Sequence, residues 1–157
     1  MADVRIITGG LERADVRGIL AEHLDEMVAT SPPESVHALD LDALRGPGVS
    51  FWTVLDADGA AIAVGALAEL SDTDAELKSM RTTTAARGRG VAASLLAHLI
   101  EAARHGGYAR LRLETGSDDF FAPARRLYER HGFVETGPFG RYSEDPYSRF
   151  YLLDVRD

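Results

Sequence analysis

The sequence predicts an α+β fold, a central twisted mixed sheet of about seven strands flanked by about four helices. Two observations predict it. Strand-like runs follow one another directly in the first half of the chain, as in an antiparallel sheet, whereas strand, helix and strand alternate in the second half, as in a parallel crossover. Because no internal repeat, low-complexity tract or linker interrupts residues 1–157, we expect a single domain.

The first half of the chain contains the antiparallel pattern. Residues 3–8 predict a strand, and residues 12–30 carry apolar side chains at helical spacing. The stretch 31–48 contains two prolines near its start and closes on Gly-Pro-Gly, which predicts a loop, a short helix and a turn. Two β-rich runs within residues 49–70 flank an Asp-Ala-Asp-Gly turn and predict a hairpin, and residues 75–82 predict a further strand.

The second half contains the crossover. A helix after residue 90 is predicted by an apolar stripe that stops at Gly106: Val91, Leu95, Leu96, Leu99 and Ile100. Residues 108–115 alternate between apolar and polar side chains, which is typical of a strand. Residues 122–132 predict a second helix that ends at Gly132 and has one inward face formed by Ala124, Leu127, Tyr128 and His131. Residues 133–136 and 148–155 predict the last two strands.

Composition excludes several classes of protein. The formal net charge of −8 argues against non-specific nucleic-acid binding. The chain contains no cysteine, so disulfides, thiolate metal sites and a cysteine nucleophile are excluded, and His23, His98, His105 and His131 form no metal-binding spacing. We expect no metal and no membrane span, and in the absence of a secretory signal pattern we expect a cytoplasmic protein.

Two arginines and two glycines stand directly before the helix predicted after residue 90: Arg87, Gly88, Arg89 and Gly90. The first N–H groups of a helix have no intrahelical partner, and glycine allows an anion to approach them closely. This pattern favours a pyrophosphate site, although a solvated helix start is an alternative. The segment also fits the G-x-G-x-x-A pattern of a nicotinamide-dependent oxidoreductase, with Glu114 as the ribose-binding acid.

The segment from Arg87 to Ala92 fits the Q/R-x-x-G-x-G/A signature of the GNAT superfamily of acetyl-CoA-dependent N-acetyltransferases. Downstream, the segment APARRLYERHGFVETG at residues 122–137 resembles that family's A-x-x-L-Y-x-x-x-G-F motif. The resemblance covers residues 69–136 well and the N-terminal third by topology only. Residues 31–40 and 78–82 also resemble a bacterial acetyltransferase subgroup.

The resemblance implies a binding mode for acetyl-CoA. Backbone amides of the loop would hold its pyrophosphate, and the end of the preceding strand would pair with the pantetheine arm. The N–H near Met80 would face the thioester carbonyl, and the following helix would contribute Ala124 and Tyr128. The cofactor-binding residues are therefore expected to be Met80, Arg81, Thr82, Arg87, Gly88, Arg89, Gly90, Val91, Ala92, Ala124 and Tyr128.

Acetyl transfer to an amine needs a base for the amine's proton and a donor for the departing sulfur. The resemblance assigns the donor to Tyr128 and the base to Glu76, with Glu69 in reserve. His37 is a further alternative for the base. Strand alternation would place Glu76, Lys78 and Met80 on one face of the sheet. The alternative to a catalytic role for Glu76 is a surface ion pair with Lys78.

The acceptor is expected to be a small amine. We expect Ser31, His37 and Arg141 to contact it, and Arg81 or Arg141 could pair with a carboxylate, which makes an amino acid a candidate acceptor. The sequence leaves the oligomeric state open, and a homodimer is one of the alternatives. The alternative to an enzyme is a non-catalytic acyl-CoA-binding or partner-binding module on the same fold.

Overall fold

The computed structural model describes residues 4–30 and 41–156. Within them the chain forms one seven-stranded sheet in the order β1-β2-β3-β4-β5-β7-β6. The strands are β1 (Arg5–Thr8), β2 (Val49–Leu55), β3 (Ala61–Glu69), β4 (Asp74–Thr82), β5 (Arg110–Gly116), β6 (Val134–Thr136) and β7 (Ser148–Asp154). The helices are α1 (Ala14–Thr30), the single turn α2 (Leu41–Leu44), α3 (Val91–His105) and α4 (Ala122–Arg130).

The sheet is mixed, as predicted. Strands β1 to β4 are antiparallel neighbours, β4 and β5 are parallel, and β7 runs antiparallel to both β5 and β6. The predicted hairpin joins β2 to β3 through a turn in which the Gly59 N–H donates to the Asp56 carbonyl at 3.0 Å. The antiparallel first half excludes the doubly wound parallel sheet that the dinucleotide-binding pattern requires.

Helices cover both faces of the sheet. Val16, Ile19 and Leu20 of α1 pack with Leu44 on one side, while the apolar stripe of α3 and the inward face of α4 form a larger core on the other. The stripe predicted for α3 is confirmed, because Leu95, Leu96 and Leu99 are fully buried. No helix in the described ranges has the length and apolar character needed to cross a membrane.

The strands β4 and β5 pair over only part of their length. Their register runs from Asp74 opposite Arg110 to Leu77 opposite Leu113, although both strands continue beyond that point. Asp74 stabilises the paired ends of β4 and β5, since its carboxylate accepts hydrogen bonds from Arg110 at 2.8 Å and from Arg112 at 2.7 Å. The unpaired ends leave a gap in the middle of the sheet.

A β-bulge in β4 changes which side chains share a face. Lys78 lies opposite Ala66 of β3 and Arg81 lies opposite Val64, so β4 has one extra residue between them. Ser79 adopts a left-handed backbone there, with φ of 60°. The prediction that Met80 shares a face with Glu76 and Lys78 is therefore wrong, because the inserted residue reverses the alternation beyond Lys78.

Candidate active site

Two cavities meet at the gap between β4 and β5. The small cavity has a volume of about 110 Å³ and is lined by residues that include Glu76, Lys78, Ser79, Glu114 and Tyr142. The large cleft has a volume of about 430 Å³ and extends along the start of α3. Five residues contribute to the lining of both cavities: His23, Met80, Phe121, Ala124 and Tyr128. A ligand in one cavity could therefore touch a ligand in the other.

The N-terminus of α3 opens into the large cleft. Gly88 and Gly90 have φ values of 80° and 77°, a region that other L-residues rarely adopt. The first hydrogen bond into the helix is donated by Ser94 to the Gly90 carbonyl at 3.0 Å. The N–H groups of residues 91–93 therefore precede the hydrogen-bonded part of the helix, and they are oriented for an anion.

The arginines of the loop and of the preceding strand differ in their surroundings. Arg87 and Arg89 are both exposed, and Arg87 lines the cleft with its guanidinium 3.9 Å from the Glu26 carboxylate. Arg81 is 7% exposed and its guanidinium pairs with Glu22 at 2.8 Å and with Glu26. Arg81 thus ties β4 to α1, and its charge is already balanced by the protein.

Tyr128 lies where the two cavities join. Helix α4 is anchored by buried Arg125, whose Nη1 donates to the carbonyls of Gly116 at 2.6 Å and Asp118 at 3.0 Å. This anchor directs Tyr128 into the core, where it is 8% exposed, as its helical face predicted. Burial, helped by the charge of Glu114, raises the pKa of Tyr128 to about 12, so its phenol remains protonated at neutral pH.

Two carboxylates reach the small cavity from neighbouring strands. Glu76 is 5% exposed, and its Oε2 accepts a hydrogen bond of 2.5 Å from the Tyr142 hydroxyl. Glu114 accepts from the Ser148 hydroxyl at 2.7 Å. Burial and the nearby Glu76 and Glu114 raise the pKa of Tyr142, which therefore acts as a donor. Its ring is held by Phe139 and Phe150, with centroids 5.0 and 5.6 Å away.

His23 of α1 contributes to both cavities. Its Nδ1 is enclosed and has no hydrogen-bond partner among the described residues. Burial, together with the charge of Arg81, lowers the pKa of His23 to about 4, so the imidazole is neutral at pH 7. It presents a hydrogen-bonding ring without adding a positive charge.

Several predicted site residues do line the cavities. The large cleft is bordered by Met80, Arg81, Thr82 and Ala124, and by every loop residue expected from Arg87 to Ala92 except Arg89. Of the predicted acceptor contacts, Ser31 and His37 lie outside the described residues. Arg141 is exposed and lines neither cavity, whereas its neighbour Tyr142 does. Glu69 is also outside both and accepts from the Tyr108 hydroxyl at 3.1 Å.

Sequence reasoning missed His23, Ser79 and Tyr142. His23 carried a signal, because it falls on the helical stripe of Val16, Ile19 and Leu20, where a polar residue is unusual. Tyr142 lies in an irregular segment between β6 and β7, where no periodicity indicates which side chain turns inward.

The chain resembles known acetyltransferases in sequence. The Acetyltransferase (GNAT) family profile matches residues 16–133. The uncharacterized N-acetyltransferase YsnE of Bacillus subtilis is 50% identical over 135 residues, covering 86% of this chain and 89% of YsnE. The uncharacterized N-acetyltransferase YedL of Escherichia coli is 43% identical over 150 residues, covering 96% of this chain and 94% of YedL.

The fold also matches solved structures. An inferred acyl-CoA N-acyltransferase from Klebsiella pneumoniae superposes with a TM-score of 0.80 and 26% identity over 99% of each chain. A GNAT family acetyltransferase from Elizabethkingia anophelis, crystallised with acetyl-CoA bound, gives a TM-score of 0.69 over 96% of this chain and 97% of that one. The identity in the second case is 15%, so that likeness concerns the fold alone.

Proposed function

Because the chain belongs to the GNAT family of acetyltransferases and is an acyltransferase, we propose that it transfers the acetyl group of acetyl-CoA to the amine of a small acceptor. The amine would attack the thioester directly while both substrates are bound. The observation that carries this proposal is the meeting of the two cavities at Tyr128, Met80 and Ala124. A donor in the large cleft and an acceptor in the small cavity would bring their reacting atoms together there.

The large cleft fits a coenzyme with a diphosphate and an extended arm. The N–H groups at the start of α3 precede its first intrahelical hydrogen bond and would donate hydrogen bonds to the diphosphate oxygens. Beyond Leu77, β4 has no paired partner on its β5 side within the described residues, so the backbone of Met80 to Thr82 can pair with the pantetheine arm. Bound acetyl-CoA would supply an activated acetyl thioester.

The small cavity fits a small acceptor. Its volume of about 110 Å³ is below the ~300 Å³ at which pockets for drug-sized ligands begin. The acceptor must lose a proton to attack, since alkyl ammonium groups titrate near ~10.4. Glu76 would take that proton, directly or through a water molecule. The hydrogen bond from Tyr142 fixes one of its carboxylate oxygens.

The proposed reaction exchanges the bond from the acetyl carbon to sulfur for a bond from the acetyl carbon to nitrogen. A carbon–nitrogen bond forms, the carbon–sulfur bond breaks, and the N–H of Met80 would donate to the acetyl oxygen as negative charge develops there. Tyr128 would donate a hydrogen bond to the departing sulfur. With a pKa of about 12, Tyr128 would keep its proton while it donates the hydrogen bond. CoA would then leave as a thiolate, whose thiol form titrates near ~8.5, and Glu76 would pass the amine's proton to solvent.

A thiol-release assay with acetyl-CoA and a panel of small amines tests the proposal. We expect free CoA to appear only when an acceptor is present, together with an N-acetylated product of matching mass. Binding of acetyl-CoA without thiol release for any amine would contradict the proposal and favour a non-catalytic acyl-CoA-binding module.

A further inference from the structure

Lys78 is the one lysine in the sequence, in which arginine occurs sixteen times. It lies in β4 and lines the small cavity. Its side chain ends in a primary aliphatic amine, which is the functional group that the proposed reaction acetylates. The single lysine of the sequence therefore lies in the cavity that the proposed function assigns to the acceptor.

The side chain of Lys78 lies on the face of the sheet that α1 covers. Lys78 pairs with Ala66 of β3, and residues directly opposite each other in a sheet share a face. Ala66 belongs to the core that the buried side chains of α1 form. Glu76 precedes Lys78 by two residues, before the bulge, so it lies on the same face and also lines the small cavity. Lys78 is thus the neighbour of the proposed base.

The Lys78 amine has no partner in the described part of the chain. Its side chain forms no hydrogen bond or ion pair there, so the surface ion pair with Glu76 is not formed. Lys78 is half-buried, and a flexible four-carbon stem allows its amine to change position within the cavity. Met80, which lines both cavities, follows two residues later, at most ~7 Å further along the strand. The junction of the two cavities is therefore within reach of the amine.

We propose that the protein acetylates its own Lys78 when acetyl-CoA is bound and no acceptor fills the small cavity. This inference rests on the proposed function. The Lys78 Nζ attacks the acetyl carbon, a carbon–nitrogen bond forms and the carbon–sulfur bond breaks. CoA leaves as a thiolate, and the proton of the amine passes to Glu76 and then to solvent. The attacking amine belongs to the protein, so no second molecule has to be brought from solution.

The modification would change the small cavity. Acetylation removes the positive charge of a lysine, and the acetyl group would occupy part of a cavity of about 110 Å³. The modified side chain would therefore exclude an acceptor from that space. The reaction would stop after one CoA per protein molecule, whereas turnover with an amine would continue.

Mass spectrometry of the full chain after incubation with acetyl-CoA alone tests the inference. We expect a mass gain of one acetyl group, which peptide mapping assigns to Lys78 and distinguishes from the α-amino group of the chain. The first-order rate should not depend on protein concentration, because the step is intramolecular. In Glu76→Gln the rate should fall by about 100-fold, a typical contribution of a general base. Any amine that the thiol-release panel identifies as an acceptor should slow the modification.

The matched control is Arg126→Lys, which adds a second lysine to the same molecule. Arg126 is exposed and lines neither cavity. The amine introduced at this position should be acetylated at least ~100-fold more slowly than Lys78. Equal acetylation of the two positions would identify chemical acetylation by free acetyl-CoA and overturn the inference.

The remaining outcomes separate this inference from the proposed function. An unmodified Lys78 in a protein that releases thiol with an amine would overturn the inference and leave the proposed function intact. A rate that rises with protein concentration would overturn the intramolecular step. If acetyl-CoA binds but neither Lys78 nor any amine of the panel is acetylated, the proposed function fails and this inference fails with it.

Discussion

Tyr142 donates a hydrogen bond of 2.5 Å to Glu76 across 66 positions of sequence. The bond joins the irregular segment before β7 to the bulged strand β4. It fixes the Glu76 carboxylate, which lines the small cavity, and the Phe139 and Phe150 rings pack against the Tyr142 ring. In the proposed reaction Glu76 is the proton acceptor, and this hydrogen bond would hold its carboxylate in a fixed position.

Replacing Glu76 with Gln should remove the acidic limb of the pH–rate profile and lower kcat/KM by about 100-fold, a typical contribution of a general base. The glutamine keeps the size of the side chain and can still accept from Tyr142, so the fold should persist. Steady-state kinetics between pH 5 and 9 would measure this. The matched control is Glu69→Gln, which should keep the acidic limb. A limb that persists in Glu76→Gln would exclude Glu76 as the base.

Replacing Tyr128 with Phe should lower kcat by about 10–100-fold while the Kd for acetyl-CoA changes less than ~2-fold. The phenol would be lost but the ring that fills the core would remain. Rapid kinetics and calorimetry would separate the two effects.

Tyr151→Phe is the control for that change. Tyr151 is fully buried next to Tyr128, with ring centroids 6.3 Å apart, but it lines neither cavity and donates to Glu129. This variant should lose some stability and keep its kcat. An unchanged kcat in Tyr128→Phe would exclude Tyr128 as the hydrogen-bond donor to the departing sulfur.

Replacing Gly90 with Ala should weaken CoA binding by roughly 10-fold. A left-handed backbone costs an L-residue about 1–2 kcal/mol, and relief of that strain would turn the N–H groups away from the diphosphate. Gly107→Ala provides a control, because Gly107 has φ of 87° at the far end of α3. Both variants should be less stable by thermal unfolding, yet only the first should bind CoA more weakly in calorimetry. Equal CoA affinities of Gly90→Ala and Gly107→Ala would show that the loop before α3 is not part of the CoA-binding site.

His23 should make the protein less stable in mild acid. Its pKa is about 4 in the folded state and near ~6.5 when unfolded. The unfolded chain therefore binds more protons between these values, and the free energy of unfolding falls as pH decreases from 6.5 towards 4. His23→Gln should reduce the loss between pH 7 and pH 4.5 by about 2 kcal/mol in urea titrations.

The control for that measurement is His105→Gln, because the His105 side chain is 82% exposed on α3. It should leave the pH dependence as it is. If His23→Gln behaves in the same way as His105→Gln, the imidazole is not enclosed as described.

Periodicity and glycine positions were enough to predict most of the architecture. The alternation in β5, the apolar stripe of α3 and the turn at Gly59 each depend on local sequence, and the structure confirms all of them. The inward direction of Tyr128 follows from the same kind of pattern.

The remaining features depend on contacts that are distant in sequence. The pairing of Arg81 with Glu22 spans 59 positions, and the bulge at Ser79 depends on how β4 matches β3. No local pattern encodes either of them. For the same reason the sequence points to Arg141 and not to Tyr142, since in an irregular segment only tertiary packing decides which of two neighbours faces the cavity.

A crystal structure of the protein with CoA tests the central claim most directly. We expect the diphosphate oxygens to lie about 2.7–3.2 Å from backbone nitrogens between Gly88 and Ala92, with the sulfur next to Tyr128. A diphosphate bound away from the N-terminus of α3, or a sulfur outside the junction of the two cavities, would contradict the account.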